Sequence, residues 1–83
     1  MKFKAEINIM PLKTLLDPQG KAVTGSMSNI GLSEIENVRI GKHITLEINT
    51  ESKEQAEAKA EEACKRLLAN QIMESYEFKV TEL

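Results

Sequence analysis

The sequence predicts an α+β domain, a two-layer sandwich of ferredoxin-like type in which a four-stranded antiparallel sheet carries two helices on one face. Two observations lead to this prediction. Apolar and polar residues alternate near both ends of the chain, which is typical of strands covered on one side. Two segments between these ends repeat apolar residues at helical spacing behind an N-cap residue. The predicted order of elements is therefore β-α-β-β-α-β, and residues 1–83 form one domain.

The first predicted strand and helix occupy the N-terminal part of the chain. The strand covers residues 2–10, and Pro11 should stop its ladder. Its inward-facing residues are Phe3, Ala5, Ile7 and Ile9. Asp17 and Pro18 then fit the N-cap and first position of a helix, and Gly31 can adopt the left-handed conformation that ends it. The apolar stripe of this helix is Ala22, Val23, Met27 and Ile30.

The middle of the chain predicts a β-hairpin within the segment ENVRIGKHITLEIN. Apolar residues alternate with polar ones on both sides of Gly41-Lys42, at Val38, Ile40, Ile44, Leu46 and Ile48. Gly41 would supply the positive φ that a tight hairpin turn needs. We therefore expect two adjacent strands here, joined by that turn.

The second predicted helix is the plainest element of the sequence. It begins at Ser52, where Gln55 three residues later completes a capping box, and Asn70 can close its end. Its apolar stripe comprises Ala56, Ala60, Ala63, Cys64, Leu67 and Leu68. Because several of these residues are small, the helix can approach its sheet closely. A fourth strand follows, with apolar positions at Tyr76, Phe78 and Val80.

Chain length and cysteine count limit how this domain can be stabilised. With 83 residues the chain buries only a small core, and domains of this size usually gain stability from disulfides, a metal or association. Cys64 is the only cysteine and His43 the only histidine, so an internal disulfide is excluded and a metal site is not expected. We therefore expect association with another chain.

Charge and hydropathy argue against two classes of partner. The net charge is −2, and the sequence has no basic stripe for nucleic acid or an anionic membrane surface. No apolar run approaches the roughly 20 residues of a membrane span. We expect a cytoplasmic protein that binds neither nucleic acid nor membrane.

The open face of the predicted sheet carries charges of both signs. Such a face either stays in water or pairs with a similar face, and we expect association through it. Its residues are Lys4, Glu6, Asn8, Arg39, His43, Thr45, Glu47, Glu77 and Lys79.

Residues that could support catalysis are better explained as structural ones. Cys64 lies on the apolar stripe of the second helix, where cysteine is normally a small core residue. His43 has no serine or carboxylate partner nearby in sequence. The glutamates at positions 54, 57, 61 and 62 fall on the solvent side of the second helix. We therefore expect no catalytic, cofactor-binding or metal-ligating residue in this chain.

Two other functions found on this fold fit the residues poorly. RNA recognition uses aromatic side chains on the open face, whereas Phe3, Tyr76 and Phe78 alternate onto the covered face. An acylphosphatase-like site would need an arginine in the loop PLKTLLDPQG, which has only a lysine. A ligand-sensing module stays open as the alternative function, because such modules also form dimers and need no catalytic residues.

Three segments together resemble the PurS family, the small subunit of phosphoribosylformylglycinamidine (FGAM) synthase. They are LDPQGKAV at 16–23, VRIGK at 38–42 and QAEAKAEEACKRLLAN at 55–70. The resemblance implies a non-catalytic subunit that forms a homodimer or a dimer of dimers. This dimer would join a large synthetase subunit to a glutaminase subunit and help ammonia pass between them. The large subunit would use ATP and Mg²⁺ to amidate formylglycinamide ribonucleotide in purine biosynthesis, and no cofactor is implied for this chain.

The same motifs supply candidate partner contacts. Gly20 stands in the first turn of a predicted helix, where glycine costs about 1 kcal/mol relative to alanine. Its presence indicates that another chain or a ligand approaches the backbone closely. The candidate contact residues are Leu16, Asp17, Pro18, Gln19, Gly20, Arg39, Gly41 and Lys42.

Overall fold

The computed structural model of the chain describes residues 1–13 and 16–83. Its elements in chain order are β1 (Lys2–Pro11), α1 (Pro18–Met27) with a 3₁₀ turn (Ser28–Ile30), β2 (Lys42–Asn49), α2 (Lys53–Ala63) with a π-helical turn (Cys64–Leu68), and β3 (Glu74–Glu82). The molecule is elongated, with extents of 51 × 26 × 14 Å. Within the described ranges, no helix combines the length and the apolar character needed to cross a bilayer.

The sheet has β1 in its centre, with β2 and β3 antiparallel to it on either side. Ile7 illustrates the register, since it stands opposite Ile44 on β2 and Phe78 on β3. The predicted inward face of β1 is confirmed, because Phe3, Ala5, Ile7 and Ile9 are all buried. The strand runs one residue further than expected, and Pro11 is its last residue, opposite Glu74. The described residues therefore form a three-stranded sheet instead of the predicted four-stranded one.

Helix α2 covers the inner face of the sheet and packs against all three strands. Its predicted cap is confirmed, since the Gln55 amide donates to the Ser52 hydroxyl at 3.2 Å. Ala56, Ala60 and Cys64 are fully buried, so small side chains do let the helix lie close to the strands. The predicted stripe is wrong at Leu67, which is 82% exposed. The wider π-helical turn, closed by the Ala69 amide on the Cys64 carbonyl, changes which residues face the sheet.

Helix α1 begins and ends as predicted but does not cover the sheet. Asp17 caps it, Pro18 is its first residue, and Gly31 adopts a left-handed conformation with φ of 83° after the 3₁₀ turn. Its main contacts are with that turn and not with the strands. Ile30, on the predicted apolar stripe, is 68% exposed. The structure thus supports the α+β class and does not confirm the ferredoxin-like layout with both helices on one face.

The predicted hairpin around Gly41 is wrong, because residues 38–40 form no strand. Asn37 turns the chain with a left-handed φ of 59°, and the amides that a ladder would use are taken by α1. Val38 donates to the Thr24 hydroxyl at 3.0 Å, and Ile40 donates to the Asp17 carboxylate at 3.1 Å. Gly41 has no positive φ. Its importance is spatial, since a Cβ there would collide with the Ile9 carbonyl.

The open face of the sheet otherwise has the predicted composition. Asn8 and His43 stand opposite each other, and their side chains are 2.6 Å apart. Ion pairs join Lys4 to Glu6 and Lys2 to Glu47 along the same sheet. Arg39 is not on a strand of this sheet, because its segment bonds to α1, but its side chain lies beside Asn8 and Glu77 near the end of the same face.

Candidate functional site

Two segments carry the candidate contact residues, LDPQGKAV at 16–23 and VRIGK at 38–42. They meet at one end of the sheet, where Asp17 joins them. One carboxylate oxygen accepts from the Gly20 amide at 3.0 Å, which caps α1, and the other accepts from the Ile40 amide at 3.1 Å. The Gly20 and Ile40 hydrogen bonds hold the pKa of Asp17 below its ordinary value, with the nearby Arg39 guanidinium acting in the same direction. Asp17 is therefore a structural anion that fixes residues 38–42 against α1.

Thr24 makes the second link between these segments. Its hydroxyl donates to the Gly20 carbonyl at 2.8 Å and accepts from the Val38 amide at 3.0 Å. Gly20 is buried, and a Cβ at this position would collide with the Val38 carbonyl oxygen. The sequence predicted a close approach to Gly20 by another chain or a ligand, and the structure shows a close approach from within the chain. The approaching group is the chain's own residue Val38, which no local pattern in the sequence could identify.

Side-chain contacts of Arg39 and Lys42 attach the segment VRIGK to the strands. The Arg39 guanidinium donates to the Pro11 carbonyl at the end of β1. Lys42 forms an ion pair with Glu74, the first residue of β3, at 3.6 Å. Of the eight candidate contact residues, Gly20 is buried and Asp17 and Arg39 are half-buried. The five others are exposed: Leu16, Pro18, Gln19, Gly41 and Lys42.

A groove of about 680 Å³ opens beside α1. Three cationic side chains from three separate segments line it, namely Lys13, Lys21 and Arg39. Asp17, Leu16 and Val38 are among the other residues of its wall. Sequence reasoning missed this group, because Lys13 and Lys21 approach Arg39 only through the turn at Asn37 and the Asp17 and Thr24 links.

Cys64 and His43, two residues considered for catalysis, lie on opposite faces of the sheet. Cys64 is fully buried against the sheet, and burial raises the pKa of its thiol, which disfavours the reactive thiolate. His43 is exposed on the open face beside Asn8. In the part of the chain that the structure describes, no three His, Cys, Asp or Glu side chains are grouped closely enough to hold a metal ion.

Comparisons with known proteins agree with this architecture. The family model described as PurS, phosphoribosylformylglycinamidine (FGAM) synthase, matches residues 4–82. The PurS subunit of FGAM synthase from Bacillus subtilis is 33% identical over 98% of this chain and 95% of its own length. The chain belongs to the PurS family.

Solved PurS structures extend the agreement to the fold. PurS from Methanocaldococcus jannaschii, described as a subunit of formylglycinamide ribonucleotide amidotransferase in the purine biosynthetic pathway, gives a TM-score of 0.85 at 32% identity. The match covers 98% of both chains. A chain of PurLQS from Thermotoga maritima gives a TM-score of 0.89 at 30% identity, over 98% of this chain and 99% of that one. As a member of the PurS family, the protein is a small subunit of FGAM synthase in purine biosynthesis.

Two of the three segments that resemble the PurS family meet in the structure. LDPQGKAV and VRIGK, two of the segments on which the resemblance rests, are held together by the Asp17–Ile40 hydrogen bond, and Thr24, the residue after LDPQGKAV, adds a hydrogen bond to Val38. They form one surface at the end of the sheet. This surface is the candidate functional site of the described residues.

Proposed function

We propose that this PurS subunit is a non-catalytic assembly subunit. As a homodimer or a dimer of dimers, it joins the large synthetase subunit to the glutaminase subunit and helps ammonia pass between them. ATP and Mg²⁺ are used by the large subunit, and this chain binds no cofactor. The proposal assigns the complex to the cytoplasm.

The exposed apolar side chains of one segment are the observation that carries the proposal. We name residues 18–36, comprising α1, the 3₁₀ turn and the following loop, the arm. Ile30 is 68% exposed, Ile35 39% and Leu32 37%, while Val23 and Met27 are only half-buried. Several exposed apolar side chains within one short segment support an interaction site there, since burying apolar surface gains roughly 25 cal/mol per Å². A second copy of the chain is the partner that we propose for the arm.

The outer edges of the sheet are also free within the chain. β2 and β3 each pair with β1 alone, so their other edges present unpaired amides and carbonyls in the described residues. Open edges readily pair with another chain. They support association in addition to the apolar arm.

The Thermotoga maritima structure supports a place beside other subunits. A chain with nearly the same fold, matched over almost its whole length, occurs in a structure described as PurLQS. We extend that assembly to the present protein. Its own contribution would be surface and geometry, because its described residues offer no paired nucleophile and base.

Oligomeric state and assembly test the proposal. Light scattering at micromolar concentration should give a dimer or a dimer of dimers for the native chain and a smaller species for Ile30→Glu. Ile72→Glu is the matched control, since Ile72 is 83% exposed and lies far along the chain from the arm. Sedimentation with the large and glutaminase subunits should then show one complex containing all three. A monodisperse native monomer would contradict the homodimer, and absence of a three-subunit complex would contradict the assembly role.

A further inference from the structure

We propose that the groove beside α1 binds an acidic segment of a partner subunit, carboxylates against its cations and an apolar side chain against its floor. The groove, here the basic groove, is lined by Lys13, Lys21 and Arg39 together with Leu16 and Val38. This proposal rests on the assembly function proposed above. It adds the surface and the chemistry of the partner that this surface recognises.

The charge of the groove is the first reason to expect an acidic partner segment. The chain has 11 basic and 13 acidic residues, yet this groove gathers three cations against one carboxylate. That carboxylate, on Asp17, is already engaged by the amides of Gly20 and Ile40. Neither Lys13 nor Lys21 forms an ion pair with any described residue. The groove is therefore a positive site on an acidic protein, complementary to carboxylates.

The shape of the groove favours a protein segment over a small anion. Its volume of about 680 Å³ lies in the range of binding sites, but it is open to solvent along one side. Lys13 and Lys21 are exposed, and Leu16 presents an apolar side chain that is 74% exposed. Small-molecule sites enclose most of their ligand. An open groove of this kind suits a segment of a larger protein. An apolar side chain of that segment would contact Leu16, and neighbouring carboxylates would contact the cations.

The groove is also held in shape before any partner binds. Arg39 donates to the Pro11 carbonyl, and Val38 is fixed by the Thr24 hydroxyl. Asn37, in a left-handed conformation, directly precedes these two residues. Because these contacts already order the wall, less conformational entropy is lost on binding.

Charge reversal in the reconstituted complex tests the proposal. The double variant Lys13→Glu and Lys21→Glu is compared with the double variant Lys53→Glu and Lys59→Glu, which makes the same charge change at two exposed lysines of α2. Circular dichroism verifies that both fold. Surface plasmon resonance then measures Kd for the large subunit and for the glutaminase, at low and at raised salt. The groove variant should bind one of them at least about tenfold more weakly and with less salt dependence, while the α2 variant matches the native chain.

Three results would overturn the proposal, and they are distinguishable. If the native chain binds both subunits and the two variants behave alike, the basic groove is not an interface although the assembly function holds. If the native chain binds neither subunit, the assembly function fails and the proposal fails with it. If inorganic phosphate or pyrophosphate binds the native chain saturably and the groove variant does not, the groove is a small-anion site instead.

Discussion

The carboxylate of Asp17 accepts a hydrogen bond from the amide of Ile40, at 3.1 Å and across 23 residues of chain. The same side chain caps α1 through the Gly20 amide. One residue therefore starts a helix and fixes the segment that leads into β2. The bond explains why two short motifs, separated in sequence, form one surface.

Asp17→Asn should weaken this junction, most visibly at neutral pH. The two amides bond to different carboxylate oxygens, and in asparagine an NH2 group, which only donates, replaces one of them. One of the two hydrogen bonds is therefore lost, and we expect the melting temperature to fall by about 5 °C at a fixed protomer concentration. Because folding lowers the pKa of Asp17, its charged form stabilises the native state above the ordinary carboxyl pKa. That contribution disappears as the pH falls through the lowered native value. Thermal unfolding at pH 7 and at about pH 3 should show a smaller acid loss in the variant, and identical acid losses would contradict the assignment.

Gly20→Ala and Gly25→Ala form a matched pair within α1. A methyl group at Gly20 would collide with the Val38 carbonyl and the Asp17 carboxylate, whereas nothing lies within 4 Å of the corresponding position at Gly25. We expect Gly20→Ala to destabilise the protein by about 1–3 kcal/mol through overpacking. Gly25→Ala should stabilise it by about 0.5–1 kcal/mol, since alanine favours helix. Urea unfolding measures both, and equal effects at the two positions would refute the close approach.

Small residues on α2 should prove sensitive to added volume. Ala60 is fully buried against the sheet, and Ala58 on the same helix is exposed. Ala60→Leu should cost about 1–3 kcal/mol of unfolding free energy, because the closely packed layers cannot separate freely. Ala58→Leu should change it by less than about 0.5 kcal/mol. Denaturant unfolding measures both variants. If Ala60→Leu lowered the free energy of unfolding no more than Ala58→Leu, the packing between α2 and the sheet would be loose.

The ionisation of Tyr76 provides a direct spectroscopic test of its hydrogen bond to Glu61. Its hydroxyl donates to Glu61 at 2.7 Å, and this hydrogen bond, together with burial, raises the pKa of Tyr76 to about 12. Because it is the only tyrosine and there is no tryptophan, ultraviolet absorbance follows its ionisation alone. The bond stabilises the native state below the ordinary tyrosine pKa of about 10, and this contribution is lost as the pH rises toward the native value.

Two glutamine substitutions on α2 test the cause of that shift. Glu61→Gln should bring the Tyr76 titration midpoint down toward about 10. Glu57→Gln, at an exposed position on the same helix, should leave it unchanged. A midpoint near 10 in the folded native protein would show that the Glu61 contact does not form in solution.

Local patterns predicted those parts of the fold that local forces determine. The alternation in β1 and β3, the Asp17 and Ser52 caps and the Gly31 terminus each depend on residues within one turn or one strand. Residues 38–40 alternate just as clearly and yet form no strand. Their amides bond to Thr24 and Asp17, and such long-range side-chain acceptors leave no periodic signal in the sequence.

The candidate site likewise has features that local sequence predicts and features that depend on the tertiary fold. Gly20 marked a close approach because glycine is unfavourable in a first helical turn, but the identity of the approaching Val38 carbonyl depends on the tertiary fold. Lys13 is an ordinary loop lysine in sequence, and only the structure brings it to the groove that also holds Lys21 and Arg39. Whether the exposed candidates such as Leu16, Pro18 and Gln19 contact a partner stays a prediction.

Glutamine-dependent FGAM synthase activity tests the central claim most directly. It is measured for the large subunit and the glutaminase with and without this protein, and ammonium chloride replaces glutamine in a parallel control, because free ammonia needs no transfer between subunits. We predict strong dependence on this protein with glutamine, weak dependence with ammonium chloride, and no activity of this protein alone. Full glutamine-dependent activity in its absence would contradict the assembly role.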